Sequence, residues 1–257
     1  ALAELFITVD NLIGGHVNSL SYQRHQIVST GKFTLTAENN PNGIKGLTFA
    51  SHVPTANVNT LSGTKRWWTN EEKTTEGSAA TPVEDMVAMV ETARAKGVKG
   101  HFEVNAATLT KILNHSKVAG VIGINALPAS TAEAQAAFAA TFSRARKKAI
   151  LEELVGASIV EIDHKVVTQK ITKGAVENVL FDSFDANVVV FVPDGNLGEI
   201  ITVEPIAIEG GKYATFLGGR GLLTVGADYV KKCQSFNTEM TSLVVPNLPQ
   251  YMWYTRV

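Results

Sequence analysis

The chain has 257 residues, enough for one large domain or two small ones with an ample core. Hydrophobic residues make up 45% and charged residues 18%, the balance of a folded globular protein and not of a disordered one. A net charge of −1 leaves no basic excess of the kind a nucleic-acid-gripping domain carries, and one cysteine, Cys233, excludes an internal disulfide and a cysteine-rich zinc site.

The start, Ala1-Leu2-Ala3-Glu4-Leu5, has no basic segment ahead of an apolar run and is not read as a secretory signal. The first 80 residues read as polar and turn-rich. Within them, Ile27–Thr36 places Ile27, Phe33 and Leu35 on one face at period two, and Ile44–Phe49 does the same for Leu47 and Phe49. The turn-forming stretch Glu38–Gly43 lies between, so the pattern predicts a β-hairpin. Serine, threonine, lysine and glycine dilute its apolar positions, which suits a surface that pairs with a partner better than a monomer's core.

A helix with clear start and stop signals follows. Thr81-Pro82-Val83-Glu84 offers a capping hydroxyl, proline at the first helical position and glutamate at the third. Val83, Met86, Val87, Val90 and Ala93 form the apolar stripe, and Gly97 closes it. A second helix is predicted from Asn105, with Leu109, Ile112 and Leu113. The greasy stretch Val118–Leu127 holds two glycines and Asn125 and falls far short of the ~20 residues of a membrane span. A third helix is predicted over Thr131–Val155, with Phe138, Phe142, Ala145 and Ala149 on one side. Strands are then predicted at Ser158–Ile162, Asn187–Val192 and Gly198–Ile208, followed by short strands in the tail from Val225 to Val257, around Pro246 and Pro249. A hairpin, then helices, then mostly strands is an α+β order, not the alternation of a parallel doubly wound sheet.

Chemistry-bearing patterns are sparse. The six histidines, His16, His25, His52, His101, His115 and His164, show no pair at metal-binding spacing. No Gly-x-Ser-x-Gly elbow is present. Cys233 has only Lys231 and Lys232 beside it and reads as a small apolar residue. Gly218-Gly219-Arg220-Gly221 lacks the lysine-hydroxyl pair of a phosphate loop. The basic run Arg144–Lys148 reads as a solvated helix face balanced by Glu152 and Glu153. Asp163, Asp182, Asp185 and Asp194 read as turn formers. A metal site built from distant histidines, or acid–base work by carboxylates at a sheet rim, stays open as a second reading.

Three segments carry a family resemblance. Leu151–Asp163 runs from a helix into a strand. Val188–Gly198 is a buried strand with a Pro-Asp-Gly turn. Phe236–Pro246, with Pro249 beyond, forms closing strands. Together with the hairpin Ile27–Phe49 in the place of an extended loop and the helix Thr81–Gly97 in the place of a spine helix, their order resembles the major capsid proteins of tailed bacteriophages, of the Hong Kong 97-type fold and its lambda-type branch. The resemblance implies an N-terminal arm (1–25), an extended β-hairpin loop (26–55), a peripheral domain with the spine helix (56–128), an axial domain (129–225) and strands returning to the peripheral domain (226–257). It implies a structural, non-enzymatic protein without cofactor or metal, located in the virion and assembled in the host bacterial cytoplasm. Its partners are copies of itself in pentamers and hexamers, scaffold, portal and decoration proteins, and packaged double-stranded DNA held without sequence preference; no membrane is involved. Ile27, Phe33, Leu35, Leu47 and Phe49 become the expected subunit-interface residues. The alternatives are an encapsulin-like bacterial compartment, an α+β enzyme of unknown class, and a tail-associated binding protein, against which the capped helices argue.

Overall fold

A computed structural model of the chain describes residues 2–37, 39, 45–128, 130–172, 175–205, 212–228 and 233–257. In chain order the elements are α1 (Leu2–Thr30), β1 (Lys32–Thr34), β2 (Thr48–Ala50), β3 (Val58–Thr60), α2 (Pro82–Ala95), β4 (Gly100–Asn105), α3 (Ala106–Asn114), α4 (Ser116–Ala126), α5 (Ala132–Ala140) and α6 (Arg144–Val155). Strands follow: β5 (Ile159–Ile162), β6 (Lys165–Thr172), β7 (Ala175–Asp182), β8 (Val188–Pro193), β9 (Gly198–Val203), β10 (Lys212–Phe216), β11 (Gly221–Asp228), β12 (Cys233–Glu239), β13 (Thr241–Pro246) and β14 (Trp253–Arg256). The architecture is α+β. Among the described residues no helix is long and apolar enough to cross a membrane.

Two units, each discontinuous in sequence, divide the chain: Gln26–Leu197 with Leu248–Val257, and Ala1–His25 with Gly198–Asn247. These bounds fall at other places than the five segments implied by the resemblance.

The larger unit is built on a five-stranded sheet of order β3-β14-β8-β4-β5. Its central strand β8 is buried along its whole length, as the unbroken run Val188–Val192 requires of a strand covered on both faces. Val189 and Phe191 face one core with Phe102, Val104, Ile159 and Trp253, covered by apolar stripes of α2, α3, α4 and α6. Val188, Val190 and Val192 face a second cluster with Val28, Phe184, Met252 and Tyr254. Phe191 packs edge-on against Phe102 at 5.3 Å between ring centres.

Three differences from the sequence reading have local causes. The first helix runs to Thr30, so Ile27 is helical and not in a hairpin strand. Gly31 stops the helix: its φ is +73°, and its N–H donates to the Ile27 carbonyl at 2.9 Å. The helix expected over Thr131–Val155 is two, α5 and α6, because Ser143 restarts it as an N-cap whose Oγ accepts the Arg146 N–H. The Thr81 hydroxyl caps no backbone N–H; it donates to the Asp85 carboxylate at 3.4 Å. The expected α2 stripe is otherwise present, with Met89 added to its buried residues, and Asn105 caps α3 by accepting the Ala107 N–H.

The smaller unit holds the first part of α1, a two-stranded sheet of β9 and β13, and a three-stranded antiparallel sheet β10-β11-β12. Gln23 ties α1 to β13: its amide nitrogen donates to the Ser242 carbonyl at 3.4 Å and its Oε1 accepts the Val244 N–H at 3.3 Å. The glycine run reads as a loop in the structure too: Leu217–Arg220 is the turn between β10 and β11, with Leu217, Gly218 and Gly219 all at positive φ.

Candidate functional site

The five expected interface residues separate. Strands β1 and β2 do pair antiparallel, with Phe33 opposite Phe49 and their rings stacked at 6.5 Å. The Leu35 N–H donates to the Leu47 carbonyl at 2.9 Å, continuing the ladder, and the Thr34 and Thr48 hydroxyls meet at 3.0 Å. The expected turn lies, except for Asn39, outside the described residues; Asn39 donates to the Thr34 carbonyl at 2.8 Å. Ile27 is on α1. It is 3% exposed and Phe33 4% exposed, so both are covered by their own chain, whereas Leu47 is 46% exposed and Leu35 and Phe49 are half-buried. Among the described residues, the apolar surface this hairpin leaves open is Leu47 and the uncovered sides of Leu35 and Phe49.

Polar clusters are accounted for by local structure. His101 on β4 stands between two carboxylates, with Nδ1 at 3.0 Å from Asp194 Oδ1 and Nε2 at 3.5 Å from Glu103 Oε1. The hydrogen bond to Glu103 raises its pKa most; burial opposes the rise and Asp194 adds to it. The imidazolium so favoured clamps the turn after β8 onto β4. Lys73, at φ +54°, donates to the Thr108 hydroxyl at 3.1 Å and to the Ala186 carbonyl, and burial lowers its pKa to about 8. It lines a cleft of about 900 Å³ with Arg66, Arg256 and Asp185. The basic run on α6 has partners: Arg144 forks onto Glu161 at 2.8 and 2.6 Å, Lys147 reaches Asn114, and Lys148 lies 3.8 Å from Glu152. Asp182 pairs with Lys165 at 3.6 Å, and Asp185 accepts the Asn187 N–H at 2.8 Å as a turn former. Among the described residues no group of three histidines, cysteines or acids is placed to hold a metal ion. Cys233 lies in β12, and its neighbours Lys231 and Lys232 fall outside the described residues.

What the sequence reading missed is a set of exposed apolar side chains. In the smaller unit, among the described residues, Leu222 is the one buried apolar side chain. Leu12 and Val17 on α1, Ile201 (52%) and Val203 (65%) on β9, and Tyr213 on β10 are exposed. In the larger unit, β6 and β7 pair with each other and, among the described residues, with no other strand. Val167 and Leu180 stand directly opposite on this ribbon, exposed at 57% and 59%. A period-two reading of 165–182 would have found the ribbon; the masking signal was the string of Thr, Gln, Lys and Asn between its apolar positions. An exposed aliphatic pair on a two-stranded ribbon, and a helix and strands whose described apolar side chains are mostly uncovered, are surfaces that become stable when covered.

No protein-family model matches the chain, and no curated protein matches it. A crystal structure of a phage-related protein from Bordetella bronchiseptica is similar over 78% of this chain, at 14% identity and a TM-score of 0.43. The match spans 56% of that protein, so this chain covers little more than half its length. At that identity and TM-score the similarity fixes neither family nor fold.

Proposed function

We propose that the chain is a structural shell subunit, the major capsid protein of a tailed-phage head with the Hong Kong 97-type fold, which assembles with copies of itself around double-stranded DNA. The observation that carries this reading is the openness of the smaller unit's described apolar residues: across a long helix and five strands these are, Leu222 apart, exposed or half-covered. A monomeric protein rarely leaves a whole layer in that state. A shell subunit does so because neighbours around several axes supply the missing cover. The division into two discontinuous units supports the same reading, since the resembling family has a peripheral domain on a spine helix and a separate axial domain. In this assignment the 29-residue α1, not the 14-residue α2, takes the place of the spine helix, and the unit built on the five-stranded sheet takes the place of the axial domain.

Negative-stain electron microscopy of the expressed chain, alone and with its scaffold protein, tests the proposal. Closed shells or capsomer rings are expected, and protein that stays dispersed under every such condition counts against it. Shells that hold nucleic acid support the head reading, and shells that hold a protein cargo support the compartment instead.

A further inference from the structure

The β6–β7 ribbon has an asymmetry that selects its occupant. β6 carries Lys165 and Lys170 and no acid; β7 carries Glu177 and Asp182 and no base. The register sets Lys165 opposite Asp182 and Lys170 opposite Glu177, so one strand of the ribbon is basic and the other acidic along its length. Among the described residues neither outer edge pairs with another strand, and the apolar pair Val167 and Leu180 is exposed.

We propose that this ribbon is the ring-forming element of the subunit: β6 of one copy adds antiparallel alongside β7 of the next, and copies of this chain close head-to-tail around a rotation axis. This rests on the shell reading above. Charge decides the mode. A two-fold pairing would set β6 against β6 or β7 against β7, placing lysine beside lysine or acid beside acid, which is unfavourable across a strand pair. Head-to-tail addition instead continues the alternation of basic and acidic strands, satisfies the edge backbone groups, and extends the cover over Val167 and Leu180. Because β6 and β7 are already antiparallel, every new contact in such a ring is antiparallel as well.

The ordinary account of charged edge strands is that they guard against pairing. The two accounts predict opposite signs. In the full chain, Lys165→Gln with Lys170→Gln removes a guard and increases self-association if the charges protect the edge. It weakens ring formation if they direct it.

The main test uses two further variants, Lys165→Glu with Lys170→Glu, and Glu177→Lys with Asp182→Lys. They are compared with the wild type by native mass spectrometry and sedimentation, with circular dichroism to verify the fold. Each variant alone is expected to associate about tenfold more weakly per contact, two attractive pairs having become repulsive. Mixed in equal amounts, one fully acidic and one fully basic ribbon should alternate and restore rings of even copy number. Wild-type association should weaken with salt. Variants that form rings at wild-type concentrations would overturn this inference and leave the shell reading standing. A wild type that forms no ring under any condition overturns both.

Discussion

Phe33 and Phe49 face each other across one strand pair and answer to different forces. Phe33 is covered by its own chain, so Phe33→Ala should lower the stability of the isolated chain by about 1.5–3 kcal/mol, read as a shift in the denaturant midpoint. Phe49 is half-buried, so Phe49→Ala should have a smaller effect on that midpoint and show itself in assembly. Equal losses in the isolated chain would contradict the division. His101 gives a pH signature. Its pKa is raised in the folded state by Glu103 and then Asp194, so its contribution is complete below the ordinary value of 6.5 and is lost as pH rises through the raised value. The stability difference between wild type and His101→Gln should therefore be largest at about pH 5–6 and shrink toward about pH 9. A difference that is flat with pH would remove His101 from the account. The two carboxylates differ in legibility: Glu103 sits two residues on from His101 on the same strand, a local same-face pair, whereas Asp194 is 93 positions away and reaches the imidazole only through the pairing of β4 with β8.

At the scale of elements, the legible parts were those whose signal is local. Asn105 and the stripe of α3, the stripe of α2 with Gly97 behind it, and the unbroken apolar run of β8 all stand where the pattern put them. The 29-residue α1 was missed because Gly14 and Gly15 sit at its middle, each disfavoured by about 1 kcal/mol against alanine, and because polar residues interrupt its stripe. A helix whose apolar side is left open need not show the strong stripe of a core helix. The joining of Gly198–Asn247 with the first 25 residues was equally invisible, since no local pattern encodes which distant strand a helix meets. The exposed strip on β9 belongs to this scale. Ile201→Asp with Val203→Asp should leave the isolated chain's melting nearly unchanged, within about 0.5 kcal/mol, and abolish assembly. Normal shells from this variant would show that β9 faces solvent in the particle.

For the whole molecule, the larger unit has two sheet-facing cores, whereas among the described residues of the smaller unit Leu222 is the one buried apolar side chain. If neighbouring copies supply the missing cover, as proposed, the chain's melting temperature should rise with protein concentration; a melting temperature independent of concentration would contradict it. With a net charge of −1, the chain should bind duplex DNA weakly, without sequence preference, and less as salt rises; tight, sequence-selective binding to a short duplex at physiological salt would contradict a shell protein that encloses its genome by confinement. The central claim, that this chain builds a shell from copies of itself, is tested most directly by size-exclusion chromatography with light scattering over a wide concentration range, with and without a co-expressed candidate scaffold protein. The account predicts a mass that climbs from single chains to capsomers or closed particles. A mass that stays at one chain at the highest concentration, in every buffer and with scaffold present, would contradict it.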